Sequence, residues 1–101
     1  MLTKMEEMEL SPGYELDEVG QNLLLKRPNG YVLAAFGEGV KLENIRRVAE
    51  ADEKYLRAVE RKERFGLAAD AETVLMFSED VKEARTEFLL ALEVAYRGKD
   101  T

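Results

Sequence analysis

Polar and apolar positions fall into two regimes along this chain, short alternation first and helical spacing afterwards. After the turn signal "SPG" at Ser11 to Gly13, "YELDEV" (Tyr14 to Val19) alternates apolar and acidic, as an edge strand with one wet face does. Beyond Gly20, "NLLLKR" and "YVLAAF" flank "PNG". Pro28 presets φ for a type I turn, Asn29 follows it, and Gly30 accepts the left-handed position of a G1 bulge. The segment therefore predicts a β-hairpin with strands near 22–27 and 31–36. Simple alternation puts Leu23, Leu25, Tyr31, Leu33 and Ala35 on one face and Leu24, Val32 and Phe36 on the other. Both faces then call for partial cover.

Gly37 and Gly39 close the sheet region, and the period changes near Leu42. Ile45, Val48, Tyr55 and Val59 form one helical stripe with Ala49 and Leu56 beside it, and Gly66 is a natural stop. Further on, Val74, Phe77, Val81, Ala84, Phe88, Ala91 and Ala95 step alternately by three and four. That spacing predicts one long helix from about Asp70 to Arg97, ended by Gly98, although Ser78 followed by Glu79 and Asp80 is also a good N-cap and could divide it. The expected fold is α+β within one domain over 1–101. A small antiparallel meander of two to three strands (about 14–36) is followed by two long antiparallel helices (about 41–97).

One position breaks the first helical stripe. Asp52 falls in the middle of its apolar face, and a buried, unpaired carboxylate costs several kcal/mol. It must reach water at the helix edge, find an internal partner such as Tyr14 or Tyr31, or meet an Arg or amide of another chain.

Charge changes the picture next. The chain of 101 residues has net charge −6, yet residues 41–65 carry eight basic and six acidic groups and are the only net-basic segment. On a helix, Glu43, Glu50, Glu53 and Glu60 each stand four residues before a basic partner, namely Arg47, Lys54, Arg57 and Arg64. This is the favoured orientation for i,i+4 pairs, worth roughly 0.2–0.5 kcal/mol each. The segment is thus largely self-neutralised, and direct nucleic-acid binding is not expected. Arg46, Arg61 and Lys62 are the leftover candidate anion contacts, with Tyr31 and Tyr55 available for stacking.

The composition excludes much chemistry. With no histidine and no cysteine, Ser-His and Cys-His nucleophiles, structural zinc and disulfides are ruled out. No calcium loop or P-loop is present, and "GEG" at Gly37 to Gly39 reads as a plain strand-to-helix turn, with Glu38 poised to repel phosphate. No catalytic residues, cofactor or metal are expected. No apolar run approaches the ~20 residues of a membrane span, and the N-terminal "MLTKMEEMEL" does not read as a secretory signal. A cytoplasmic location is the expectation.

"FLLALEVAYR" (Phe88 to Arg97) is the last unusual stretch. Phe88, Ala91, Leu92 and Ala95 cover one helix face, Leu90 and Val94 point nearly opposite, and Leu89 lies at the flank. Either this helix is central and covered all round, or Leu90 and Val94, with Leu89, form a self-association or partner surface. Asp52 joins them as a candidate interface residue.

The order "LLLKRPNGYVLAAFGEG" then "LENIRRVAEADEKYLRAVER" resembles small bacteriophage-encoded accessory proteins, which carry a hairpin with an N-G or D-G turn and then an Ala/Leu-rich helix. Asn44, Val48, Ala49, Ala51, Tyr55, Leu56, Ala58 and Val59 correspond to parts of that helix. Asp52 stands in its alanine-rich part, and the proline that precedes the matching glutamate is absent before Glu53. The resemblance implies a mobile-element protein that binds and blocks a host factor. The expected function is a non-enzymatic, homodimeric protein-binding module that inhibits a host nuclease or nucleic-acid-binding enzyme through an acidic and apolar surface. A nucleotide-signal binder and a structural or assembly protein are the alternatives.

Overall fold

A computed structural model describes residues 10–65 and 70–97. Three strands, β1 (Glu15–Val19), β2 (Asn22–Lys26) and β3 (Val32–Phe36), form an antiparallel sheet in the order β1-β2-β3. Two helices follow, α1 (Leu42–Phe65) and α2 (Ala71–Arg97). The architecture is α+β, a meander followed by an antiparallel helix pair. Gly66 and Gly98, the expected helix stops, lie outside the described residues. Ser78 does not break the second helix, which is continuous; its cap is Asp70, whose Oδ1 accepts from the Thr73 amide at 2.9 Å.

The hairpin closes as its turn residues dictate. The Gly30 amide donates to the Arg27 carbonyl at 2.8 Å, the Arg27 amide donates to the Tyr31 carbonyl at 2.9 Å, and Gly30 holds φ at 88°. Asn29 adds its Oδ1 as acceptor for the Tyr31 amide, the local side-chain bond that suits Asn to turns.

Within the hairpin, the structure corrects the expected faces. Leu25 pairs with Ala34 but Lys26 pairs with Val32, so Leu33 is an extra residue on β3. This bulge shifts the alternation by one. Ala34 and Phe36 therefore join Leu23 and Leu25 over the helices, while Ala35 turns outward. Sequence alternation had assigned Phe36 and Ala35 the opposite way.

The sheet covers only part of the helix pair. Leu25, Ala34 and Phe36 pack on Ile45, Val48 and Ala49 from the start of α1 and on Ala95 from the end of α2, with Phe88, Ala91 and Leu92 around them. Five-residue strands span ~17 Å, whereas α1 and α2 run ~36 and ~40 Å. The remainder of the pair, with Ala58 and Ala84 buried in it, extends past the core and gives the described residues an extent of 53 × 26 × 19 Å.

Candidate functional site

Asp52 is fully buried, and the fold gives it three hydrogen bonds from its own chain. Arg27 donates through Nε to Oδ2 at 2.9 Å and through Nη2 to Oδ1 at 2.7 Å, a two-pronged guanidinium–carboxylate pair. The Tyr14 hydroxyl donates to Oδ2 at 2.6 Å. The clasp joins the first strand's entry, the hairpin turn and the third turn of α1. Tyr31 lies over the Arg27 guanidinium, 5.1 Å from ring centroid to Cζ. Tyr14 reaches its position through the turn at Ser11–Tyr14, whose Gly13 holds φ at 85° with Pro28 packed where a β-carbon would stand.

This arrangement selects among the options open for Asp52. Its partners are internal, so it is not an interface residue: a carboxylate with no exposure and its hydrogen bonds made offers nothing to another chain. Tyr14 is the partner that sequence suggests, whereas Tyr31 serves Arg27 instead. Arg27 is the residue that sequence reasoning missed. It continues the inward Leu23–Leu25 alternation by one more step, a signal hidden by its place beside the turn.

The clasp carries a titration consequence. Burial, followed by the hydrogen bond to Asp52, pushes the Tyr14 phenol above its ordinary range. The same hydrogen bond raises the Arg27 guanidinium. A raised folded value for Tyr14 means that its contribution is whole below the unfolded value near pH 10 and is lost as pH rises from there through the folded value. Stability of the native chain is therefore expected to fall more steeply between about pH 9 and about pH 11 than that of Tyr14→Phe. Equal slopes in urea titrations of the two proteins would remove this assignment.

The candidate anion contacts do not converge. Arg46 lies fifteen positions before Arg61 on the same helix, a separation of ~22 Å. Arg61 faces Asp80 of α2 at 4.0 Å, Lys62 is exposed, and Arg46 has a buried Nε without a partner among the described residues. Surface depressions are shallow and charged: one is lined by Glu79, Lys82, Glu83, Thr86 and Glu87 of α2, another by Arg57, Glu60, Arg61, Arg64 and Phe65 of α1. Each is the side of a single helix, not a pocket with converging groups. Among the described residues no group of three or more acidic side chains is placed to hold a metal ion, and no helix is long and apolar enough to cross a membrane.

Three of the four expected pairs along α1 form: Arg47–Glu43 at 3.4 Å, Arg57–Glu53 at 3.5 Å and Arg64–Glu60 at 2.9 Å. Lys54 departs from the expected pairing with Glu50 and reaches across to Glu87 of α2 at 2.8 Å. That bond lies on the side of the helix pair away from the sheet.

The same side carries two of the three remaining candidate residues. Leu90 and Val94, one turn apart on α2, are 56% and 49% exposed. Leu89 is also exposed, but at about 100° per residue it turns away from them toward the opposite flank. Tyr96 is on that flank too, where its hydroxyl donates to the Ala35 carbonyl at 3.1 Å and its ring tilts against Phe36. Met76, near the start of α2, and Phe65, at the end of α1, are exposed as well.

No protein-family model, curated protein or solved structure matches the chain.

Proposed function

We propose that this chain is a non-enzymatic protein-binding module that docks through the outer face of its helix pair. The observation that carries the reading is the pair Leu90 and Val94, adjacent on one helix face and both about half exposed. Apolar side chains held out beside the charged groups of this outer face support a contact surface rather than a core. The acidic run of α2 beside them, with Glu79, Glu83 and Glu87 at successive turns, suits a basic protein surface. Enzymes that grip nucleic acid present such surfaces to phosphates. The proposed target is a nuclease or other nucleic-acid-binding enzyme of a host cell, inhibited in the cytoplasm by carboxylates standing where phosphates bind. The resemblance to phage accessory proteins favours the same reading.

The test compares the native chain with a Leu90→Glu/Val94→Glu double variant, both immobilised and exposed to cell lysate. At ~1–2 kcal/mol for each anchor, a bound target is expected to weaken by tenfold or more in the double variant. Identical binding by the two proteins, with identical oligomeric state, overturns the assignment of this face. Activity assays of a captured nuclease then test the inhibition.

A further inference from the structure

Over one stretch the outer face of the helix pair carries charges of opposite sign on its two helices: Lys54 to Arg64 present basic groups on α1, level with Glu79 to Glu87 on α2, whereas Glu43 and Glu50 of α1 lie farther along the same side. At about 100° per residue, Arg57 and Arg61 of α1 and Glu79 and Glu83 of α2 all turn to the side away from the sheet. Lys54–Glu87 at 2.8 Å and Arg61–Asp80 at 4.0 Å bridge the groove between the helices and fix which residues stand level. By that register Phe65 is level with Met76. Exposed apolar side chains therefore mark both ends of the face, Leu90 and Val94 at one and Phe65 and Met76 at the other.

Resting on the reading of this face as a docking surface, we propose that its occupant in the isolated protein is a second copy of the chain, related by a two-fold axis parallel to the helices. That rotation lays α1 of one copy on α2 of the other at the same height. Arg57 and Arg61 then meet Glu79 and Glu83 of the partner subunit, and the contact occurs twice. A two-fold axis in the same plane but across the helices, centred on this charged stretch, lays α1 on α1 and α2 on α2, so like charges meet and that encounter is repelled. Over the stretch where the two helices carry opposite signs, charge favours the axis parallel to the helices.

Nearest the chosen axis the bridging pairs Lys54–Glu87 and Arg61–Asp80 lie beside their own equivalents, as a self-complementary interface requires, with Val94 and Met76 flanking them. The face is ~36 Å long and two helix diameters, or ~20 Å, wide. It offers on the order of 700 Å² per copy, close to the ~800 Å² per partner of a standard stable interface. The product is a four-helix bundle with a sheet on each outer side. A heterologous target that uses this face must displace the second copy, so the dimer and that complex exclude one another.

Native mass spectrometry and sedimentation of the full chain test the proposal. The expected result is a dimer of the 11.5 kDa chain that loosens between about 0.1 M and about 1 M salt, because exposed charges are screened. Arg57→Glu/Arg61→Glu and Glu79→Arg/Glu83→Arg are each expected to be monomeric alone, with circular dichroism reporting intact helices. Mixed in equal amounts, the two are expected to form a heterodimer.

A native chain that stays monomeric at concentrations on the order of 100 µM overturns the proposal. So does a dimer that survives both charge reversals. A monomer that still captures a target through Leu90 and Val94 overturns self-association while leaving the docking face in place. A dimer that behaves as above but captures no target supports self-association and counts against the wider reading.

Discussion

Arg27→Ala lowers the unfolding free energy by about 3–5 kcal/mol, because it leaves the Asp52 carboxylate in the core with Tyr14 as its remaining hydrogen-bond donor. Against a typical total of ~5–15 kcal/mol, that is enough to bring the chain near its unfolding threshold at 25 °C. The cost belongs to the stranded charge rather than to the net worth of the ion pair. Replacing both partners, as in Arg27→Met with Asp52→Leu, is therefore expected to cost much less than Arg27→Ala, with at least about 2 kcal/mol recovered. Urea unfolding followed by circular dichroism measures both variants. An Arg27→Ala loss below about 1 kcal/mol would show that water reaches Asp52 and that the clasp is no more than a surface pair.

Phe36→Ala is the second large effect, a loss of about 3–5 kcal/mol from lost burial and the cavity left behind. Phe36 is one of the largest fully buried side chains, and its ring lies 5.3 Å from that of Tyr96 at a tilt of 35°. Tyr96 also bonds to the Ala35 carbonyl, so the cavity opens where β3 meets the last turns of α2. The sheet has few other residues with which to fill it, because its inner face is short and Ala34 is small. A fall in Tm of at least about 12 °C is expected, read by thermal denaturation. Phe36→Leu, which keeps most of the volume, is expected to lose less than half as much. A small effect from Phe36→Ala would mean that Phe36 shares the face of Leu24, as simple alternation has it, and that the bulge at Leu33 is not formed.

These two residues also show where sequence reading stops. The turn at Pro28–Gly30 was legible because Pro, Asn and Gly restrict backbone angles locally, whatever lies nearby. Both helices were legible because a spacing of three and four residues persists over several turns in each, which strands cannot use. The missing chemistry was legible as well, since residue types that are absent cannot act. Ser78 misled in part: a capping side chain permits a helix start but cannot impose one on a stripe that continues from Val74 through Ala84.

Phe36 was assigned to the wrong face because one extra residue on β3 inverts every position after it, and nothing within "YVLAAF" marks the inversion. Leu90 and Val94 read as surplus to a single apolar face, but their exposure depended on whether anything covers the side of α2 away from the sheet.

The sequence by itself determined the element order, the hairpin turn, the span of the first helix and the need for Asp52 to find a partner or reach water. These follow from local backbone preference and from one-dimensional periodicity. The tertiary structure alone decided that the second helix runs unbroken past Ser78, that the partners of Asp52 are Arg27 and Tyr14, that Lys54 crosses to Glu87 instead of pairing along its own helix, and that the basic end of α1 stands level with the acidic start of α2. Each of these depends on the distance between residues remote in the chain, set by the packing of sheet on helices and helix on helix.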